Sequence, residues 1–314
     1  MADLYLITGG AGFIGSNLAE ALVRDGERVR VFDDFSSGTL ENLAAIKDRV
    51  EIVEGDLRDF AAVRRAMDGV TRVAHQAALR SVERSVDDPL SSDAVNVQGT
   101  LHVLQAAREN GVKRVVYASS SSAYGDTEVL PKTEDLTPAP ISPYAVSKLA
   151  AEHYCRVYTR LYGVETVSLR YFNVFGPKQS PESKYAAVIP LFLRSAFKNE
   201  PIVIHGDGEQ SRDFTYIDNV VQANRLSLTV PGVGGEVFNV ACGDRHSLLE
   251  IVEIFGQFLG RKLECKHIES RRGDVRHTQA SIDRISQKLN YRPIVDFEDG
   301  LRLTYDWFKT QWKQ

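Results

Sequence analysis

Cysteine is scarce in this chain. Cys155, Cys242 and Cys265 are odd in number and widely spaced among 314 residues, which argues against a disulfide framework or a zinc site. Neither sign of charge dominates: 38 Lys and Arg stand against 42 Asp and Glu, a net charge of −4, so nothing marks a nucleic-acid or anionic-membrane surface. Long hydrophobic runs are also missing. The apolar stretches are strand-length, and the opening MADLYLITGG has neither the basic start nor the hydrophobic span of a secretion signal. His75, His205 and His277 have no metal-ligand spacing, so no metal is expected. No repeat or low-complexity tract appears. These exclusions leave a protein of a reducing, cytoplasmic compartment, long enough for one large α/β domain or two unequal ones.

Short apolar strands alternate with helical segments as far as about Arg170, the rhythm of βαβ units and a parallel sheet. The strand around Val73, a helix through VQGTLHVLQAAREN, the strand RVVYAS, a helix from Tyr144 to Tyr162 and the strand VETVSLR follow one another. Beyond Asn173 the rhythm loosens, broken by Pro177, Pro181, Pro190 and Pro201 and by glycine-rich turns such as HGDGEQ. The second stretch is expected to be a smaller region covering the open ends of the strands, where ligands of open α/β sheets bind.

LYLIT runs into GGAGFIGS and then into a helical pattern in which Ile14, Leu18 and Leu22 recur. Gly10, Gly12 and Gly15 form G-x-G-x-x-G, led by Gly9. Early glycines permit a tight turn and close approach of a pyrophosphate, and Gly15 lets the helix pack closely on the strand. Gly9, Gly12, Phe13, Ile14 and Gly15 are therefore candidate cofactor contacts, with phosphates on the helix N-terminus. The next strand, RVRVF, ends in Asp33, whose carboxylate can accept both adenosine ribose hydroxyls and repels a 2′-phosphate. NAD is thus favoured over NADP, while Asp34 suits a solvated turn. Asp56 and Leu57 end a further strand where adenine would lie, and Ala77 leaves room for the cofactor.

Tyr144 and Lys148 stand four apart in SPYAVSK, and a serine cluster, Ser119 to Ser122, ends a strand one crossover earlier. A phenol one helical turn from an ammonium shares its helix face, so the cation can stabilise phenolate and make the tyrosine a usable base. Attraction at about 4 Å in an effective dielectric of about 20 is worth roughly 4 kcal/mol, or about three pKa units from a start near 10. Desolvation works against it, so a second positive charge, such as an oxidised nicotinamide ring, is expected nearby.

In this order the motifs GGAGFIGS, DDFSSG, GDLRD, HQAA, SSSSAYGD, SPYAVSK, RYFNVFGP and GDGEQSRDFTYIDNV resemble the extended short-chain dehydrogenase/reductase family over nearly the whole length. Within it, the likeness is to nucleotide-sugar 4-epimerases of the UDP-galactose/UDP-N-acetylhexosamine kind. The resemblance implies a Rossmann doubly wound parallel sheet over 1–172 binding NAD. A smaller, mainly nucleotide-sugar-binding α/β region would cover 173–314, some of its segments returning to the first domain. It also implies that Tyr144 is the catalytic base, Lys148 its activator and ribose ligand, and Ser120 the hydrogen-bonding partner of the reacting hydroxyl. Such an enzyme passes through a transient 4-keto sugar, which turns about its diphosphate link before reduction from the other face.

By the same resemblance Arg212 and Arg271 are candidate diphosphate ligands, a role suited to a planar guanidinium. Asp274 would sit at the nucleotide ribose and Asn173 at a phosphate or the nearby backbone. Ser81 and Ser121 are hydroxyls able to contact the sugar or its acetamide. Thr278 occupies a site that is a large tyrosine in family members confined to plain hexoses, and a threonine leaves space for an acetamido group. Arg80 stands where a small residue is expected. The expected reaction is UDP-GlcNAc/UDP-GalNAc interconversion, with UDP-Glc and UDP-Gal accepted too. UDP-glucose-only, UDP-glucuronate and UDP-pentose 4-epimerases use the same triad and are the alternatives, with a non-catalytic NAD-binding protein as the reading from another class. A 4,6-dehydratase or a decarboxylase would carry acidic residues where Ser121 and Ser122 stand. The resemblance implies a homodimer paired through the helix at Leu101 and the Tyr144 helix, the latter exposing Tyr154 and Tyr158.

Overall fold

The computed structural model describes residues 3–182, 186–269 and 275–312. The early strands are the expected apolar runs: β1 (Leu4–Thr8), β2 (Arg28–Asp33), β3 (Val50–Glu54), β4 (Arg72–His75), β5 (Arg114–Ser120) and β6 (Glu165–Tyr171). Later strands are shorter: β7 (Val174–Phe175), β8 (Ile202–His205), β9 (Ser211–Arg212), β10 (Thr215–Tyr216), β11 (Val237–Val240), β12 (His246–Ser247) and β13 (Cys265–Ile268). Between them run α1 (Phe13–Arg24), α2 (Phe60–Ala66), α3 (Val82–Asp87), α4 (Pro89–Asp93), α5 (Gly99–Glu109) and α6 (Pro143–Tyr162). The second half adds α7 (Val188–Lys198), α8 (Ile217–Thr229), α9 (Leu248–Leu259), α10 (Asp283–Leu289) and α11 (Phe297–Trp312).

Seven strands form one parallel sheet in the order β11-β6-β5-β4-β1-β2-β3. Successive residues of β1 point to opposite faces, and both faces are covered: Tyr5 and Ile7 enter one apolar cluster, Leu4 and Leu6 another. This two-sided burial is why the strand reads as an unbroken apolar run. The chain winds outward from β1 to β3, then returns to lay β4 on the other side of β1, and a crevice opens at the carboxyl ends of the strands where the winding reverses. Strand β11 comes from the second stretch of the chain and completes the sheet beside β6. The first cluster likewise runs from Leu18 and Val31 through Phe192 and Phe238 to Phe255 and Leu301.

Helix α6 begins one residue before Tyr144. Pro143 takes its first position, and Ser142 Oγ accepts the Ala145 N–H at 3.2 Å, a combination that satisfies an orphan donor and pre-sets the helical turn. It stops at Gly163, whose φ of +70° is a left-handed conformation that favours glycine. Tyr154 is 39% exposed as expected. Tyr158 is not: it is buried and its hydroxyl donates to Gln105 Oε1 at 3.2 Å, because that face of α6 meets α5. Among the described residues no helix is long and apolar enough to cross a membrane.

Candidate active site

The crevice holds a cleft of about 340 Å³ that gathers the glycine turn, Asp33, Ser120, Tyr144 and Lys148. Gly9 has φ +67°, and a Cβ there would meet the Ala77 backbone at 2.7 Å, so β1 and β4 approach as closely as the expected cofactor turn requires. A Cβ on Gly15 would lie 2.2 Å from Gly9 O and 2.7 Å from Gly10 Cα. The expectation that Gly15 spares helix–strand packing is thereby refined: what it spares is the turn itself, which folds back on the helix. Gly12 is the N-cap of α1 and supplies no side-chain cap, leaving first-turn N–H groups beside the cleft for an anion.

Asp33 is buried, with Oδ2 accepting the Ala11 N–H and Oδ1 the Phe35 N–H, each at 2.9 Å. Burial holds its carboxyl above the usual range, while those two donors pull it down. Two of about four acceptor directions remain, matching a ribose diol. Asp34 turns away and accepts from Ser36 on the surface. Asp56 and Leu57 line the same cleft, Asp56 gripped by Arg58 at 2.9–3.0 Å through Nε. Gln179 adds a buried Oε1 without a partner on the cleft wall. A dinucleotide fits these residues: a glycine cradle closed to any Cβ, a helix start without a cap, a carboxylate with spare lone pairs and an orphan acceptor.

Ser120 ends β5, and its Oγ accepts from Ser122 N–H at 3.2 Å and Ser122 Oγ at 2.8 Å. Its own proton is therefore left to donate into the cleft. Burial raises the Tyr144 phenol above the ordinary value, while the Ser120 hydroxyl and the Arg80 guanidinium pull it down. The Lys148 Nζ lies 4.8 Å from the centre of the Tyr117 ring, and burial lowers its amine to about 7.

Several residues that frame this centre were not found from sequence. Glu152, one turn beyond Lys148, forms a buried ion pair with Arg170 of β6 (Nη2–Oε1 2.7 Å, Nε–Oε2 3.0 Å) and accepts Ser119 Oγ at 2.7 Å. That pair bolts α6 to β5 and β6 directly beneath Ser120. Arg170 also stacks over the Tyr124 ring at 4.6 Å. The one available signal was that Arg170 and Glu152 interrupt apolar faces; their pairing lies across 18 residues. His75 is structural as expected, buried between Thr8 Oγ1 and Thr100 Oγ1, with its imidazole pushed down to about 3 by burial and by the Lys148 charge.

From the second stretch, Asn173 lines the cleft with φ +23°, its Nδ2 donating to Asp213 O at 3.1 Å and reaching Thr278 Oγ1 at 3.4 Å. Thr278 is held there by its N–H donating to Ser211 O at 3.0 Å. Asp213 ties three segments together by accepting N–H groups of Cys242, Gly243 and Ala280. Arg212 donates through Nη1 to Ser211 O and Arg276 O, which orients its guanidinium. Ser81, Ser121, Arg212 and Thr278 are not in the cleft wall, and the Ser81 hydroxyl caps α3 by accepting the Arg84 N–H at 3.2 Å. Arg80 takes that place in the wall. Arg271 and Asp274 lie outside the described residues.

The model of the NAD dependent epimerase/dehydratase family matches residues 5–241. A UDP-glucose 4-epimerase of Mycolicibacterium smegmatis is 36% identical over 310 residues, covering 98% of each chain. Among solved structures, a UDP-N-acetylglucosamine 4-epimerase from Methanobrevibacter ruminantium in complex with UDP-N-acetylmuramic acid is 39% identical, with TM-score 0.94 over 99% of this chain and 100% of that one. A UDP-glucuronic acid 4-epimerase from Bacillus cereus, in complex with UDP-glucuronic acid and NAD, is 31% identical, with TM-score 0.91 over 98% and 99%.

Proposed function

We propose, from the premise that this chain belongs to the NAD dependent epimerase/dehydratase family, that it inverts C4 of UDP-GlcNAc and UDP-GalNAc, and of UDP-Glc and UDP-Gal as well. The observation that carries this reading is that Ser120, Tyr144 and Lys148 share one cleft with the glycine turn and with Asn173. Gly9, Gly12, Phe13, Ile14 and Gly15 hold the pyrophosphate of NAD, Asp33 its adenosine ribose, and Lys148 its other ribose. Bound there, NAD takes up and returns a hydride at sugar C4. Tyr144 Oη removes the C4 hydroxyl proton and gives it back after the 4-keto sugar has turned, so one group is base and then acid. Ser120 donates its remaining hydrogen bond to the same sugar oxygen. Arg212 and Arg271 hold the diphosphate, leaving the hexose loosely gripped and able to turn.

Thr278 is not itself in the cleft wall but meets Asn173 of that wall at 3.4 Å, and in this reading its small side chain spares room for an acetamido group. Incubation with UDP-GlcNAc and separately with UDP-Glc, followed by chromatography of the epimers, tests both statements. Each pair is expected to equilibrate, and Thr278→Tyr is expected to lose at least about tenfold more rate on the acetamido pair than on the plain one. Equal losses would remove Thr278 from the specificity argument; no equilibration of either sugar would remove the substrate reading.

The same premise extends to assembly. Val146, Tyr154, Val157 and Leu161 of α6 are exposed and fall on one helical stripe, beside exposed Val82, Val86 and Leu90 on α3 and α4. We assign this stripe to a homodimer in the cytoplasm, where unpaired Cys155, Cys242 and Cys265 suit a reducing medium. Light scattering is expected to give twice the 34.9 kDa chain mass, and a value of one chain overturns the dimer.

A further inference from the structure

We propose that Lys178 and Gln179 form a strap, laid by the second stretch of the chain over the glycine turn, that retains bound NAD, with the Lys178–Glu20 ion pair as its fastening. The inference rests on the dinucleotide site and is independent of which sugar is taken. Lys178 follows β7, and its Nζ pairs with Glu20 Oε1 of α1 and donates to Asn42 O at 2.8 Å. One turn nearer the start of α1, Asn17 Nδ2 donates to Phe13 O at 2.8 Å and to Pro177 O at 3.2 Å. Two successive residues of the strap, Pro177 and Lys178, are thus tied to the helix whose N-terminus faces the cleft.

Both anchors of Lys178 belong to the frame of the cofactor turn. Asn42 Nδ2 donates to Ala11 O at 2.8 Å and the Thr39 N–H to the same oxygen at 3.1 Å, while the Ala11 N–H is held by Asp33 Oδ2. Lys178 therefore closes a ring of contacts running from α1 through residues 39–42 to the carboxylate expected at the ribose. The Lys178 side chain is only 13% exposed, so water and salt weaken its ion pair less than they would a surface one.

The strap's backbone is held in an uncommon conformation. Lys178 has φ +69° and Gly176 φ +149°, and a Cβ on Gly176 would come 2.5 Å from Ile217 Cγ2. A left-handed position favours glycine, so a fastened lysine there is the pattern expected where geometry serves function. The turn sends the next residue inward: Gln179 is 3% exposed, its Nε2 donates to Val174 O at 3.0 Å, and its buried Oε1 has no partner among the described residues. Gln179 lines both the main cleft and a second cavity of about 600 Å³ bounded by Phe13, Ser37 and Trp307. The strap stands where the two meet. A buried acceptor left unpaired calls for a donor, and the hydroxyl and amide groups of NAD supply donors.

The test loads the full chain with radiolabelled NAD, chases it with excess unlabelled NAD and follows the label retained on a filter with time. Lys178→Met is expected to release label about tenfold faster, the size of effect a charge-assisted hydrogen bond carries. Lys178→Arg keeps the charge and is expected to return the rate toward the parent's. Glu20→Gln should reproduce the acceleration, and the double variant should be no faster than Lys178→Met alone, because both changes remove one contact. Lys178→Gly, which suits the left-handed backbone, repeats the measurement should the methionine variant fold poorly. An unchanged release rate, an equal acceleration in Lys178→Arg, or additive effects of the two single changes overturns the strap. A parent that retains no label overturns it together with the NAD site, and since no sugar is present, neither outcome bears on the substrate reading.

Discussion

Tyr144→Phe is expected to slow epimerisation about 10³-fold or more in both directions, with NAD content and melting temperature close to the parent's. General acid–base catalysis by a positioned side chain is worth about 10²–10⁴-fold, and here one hydroxyl serves as base in one half of the cycle and acid in the other. The change removes only that oxygen. The ring keeps its place in the first turn of α6, and the backbone N–H still donates to Ser85 Oγ, so folding has little reason to suffer. Steady-state rates from each epimer, with bound NAD measured after acid release, check the result. A rate within tenfold of the parent, at unchanged NAD content, would mean that the proton is handled elsewhere.

Lys148→Met is expected to separate stability from activity: turnover falls about 10²-fold or more, while the NAD-free protein becomes more stable. The Lys148 ammonium is buried, takes no carboxylate among the described residues, and has its pKa lowered to about 7 from 10.5. A lysine depressed in this way destabilises the fold wherever it must be charged in both states. Below about pH 7 the folded chain carries the full cost of a buried ammonium, on the order of a few kcal/mol. Between there and the unfolded value of about 10.4 the unfolded chain alone holds the proton, so stability rises with pH and the cost disappears. The melting advantage of Lys148→Met should thus be widest near pH 6 and should shrink toward pH 10. A methionine variant that melts lower than the parent at both ends would show that the amine is satisfied in the fold after all.

Much of the site was legible because it is local. The strand Leu4–Thr8, the glycine turn and helix α1 follow from a short apolar run, residues without Cβ and a helical period. Asp33 was readable as the end of the next strand, and the helix expected from Tyr144 to Tyr162 starts one residue earlier, at Pro143. In each case the neighbours that decide conformation lie within a few positions, so spacing is enough. Tyr154 and Tyr158 show where that stops: both are four-spaced aromatics on one helix, and which of them is buried depends on Gln105 and α5, more than 50 residues earlier in one instance.

Composition, period and spacing by themselves determined βαβ units with a parallel sheet, a dinucleotide turn with a ribose carboxylate, and a tyrosine–lysine helix following a serine strand end; the doubly wound topology came from the family resemblance. Only the tertiary structure decided that β11 completes the sheet, that Glu152 and Arg170 bury a charge pair between α6 and β6, and that Tyr158 packs inward against α5. The reason is physical: backbone conformation answers mainly to adjacent residues, whereas desolvation and Coulomb forces answer to whatever the fold brings within a few ångströms, regardless of distance along the chain.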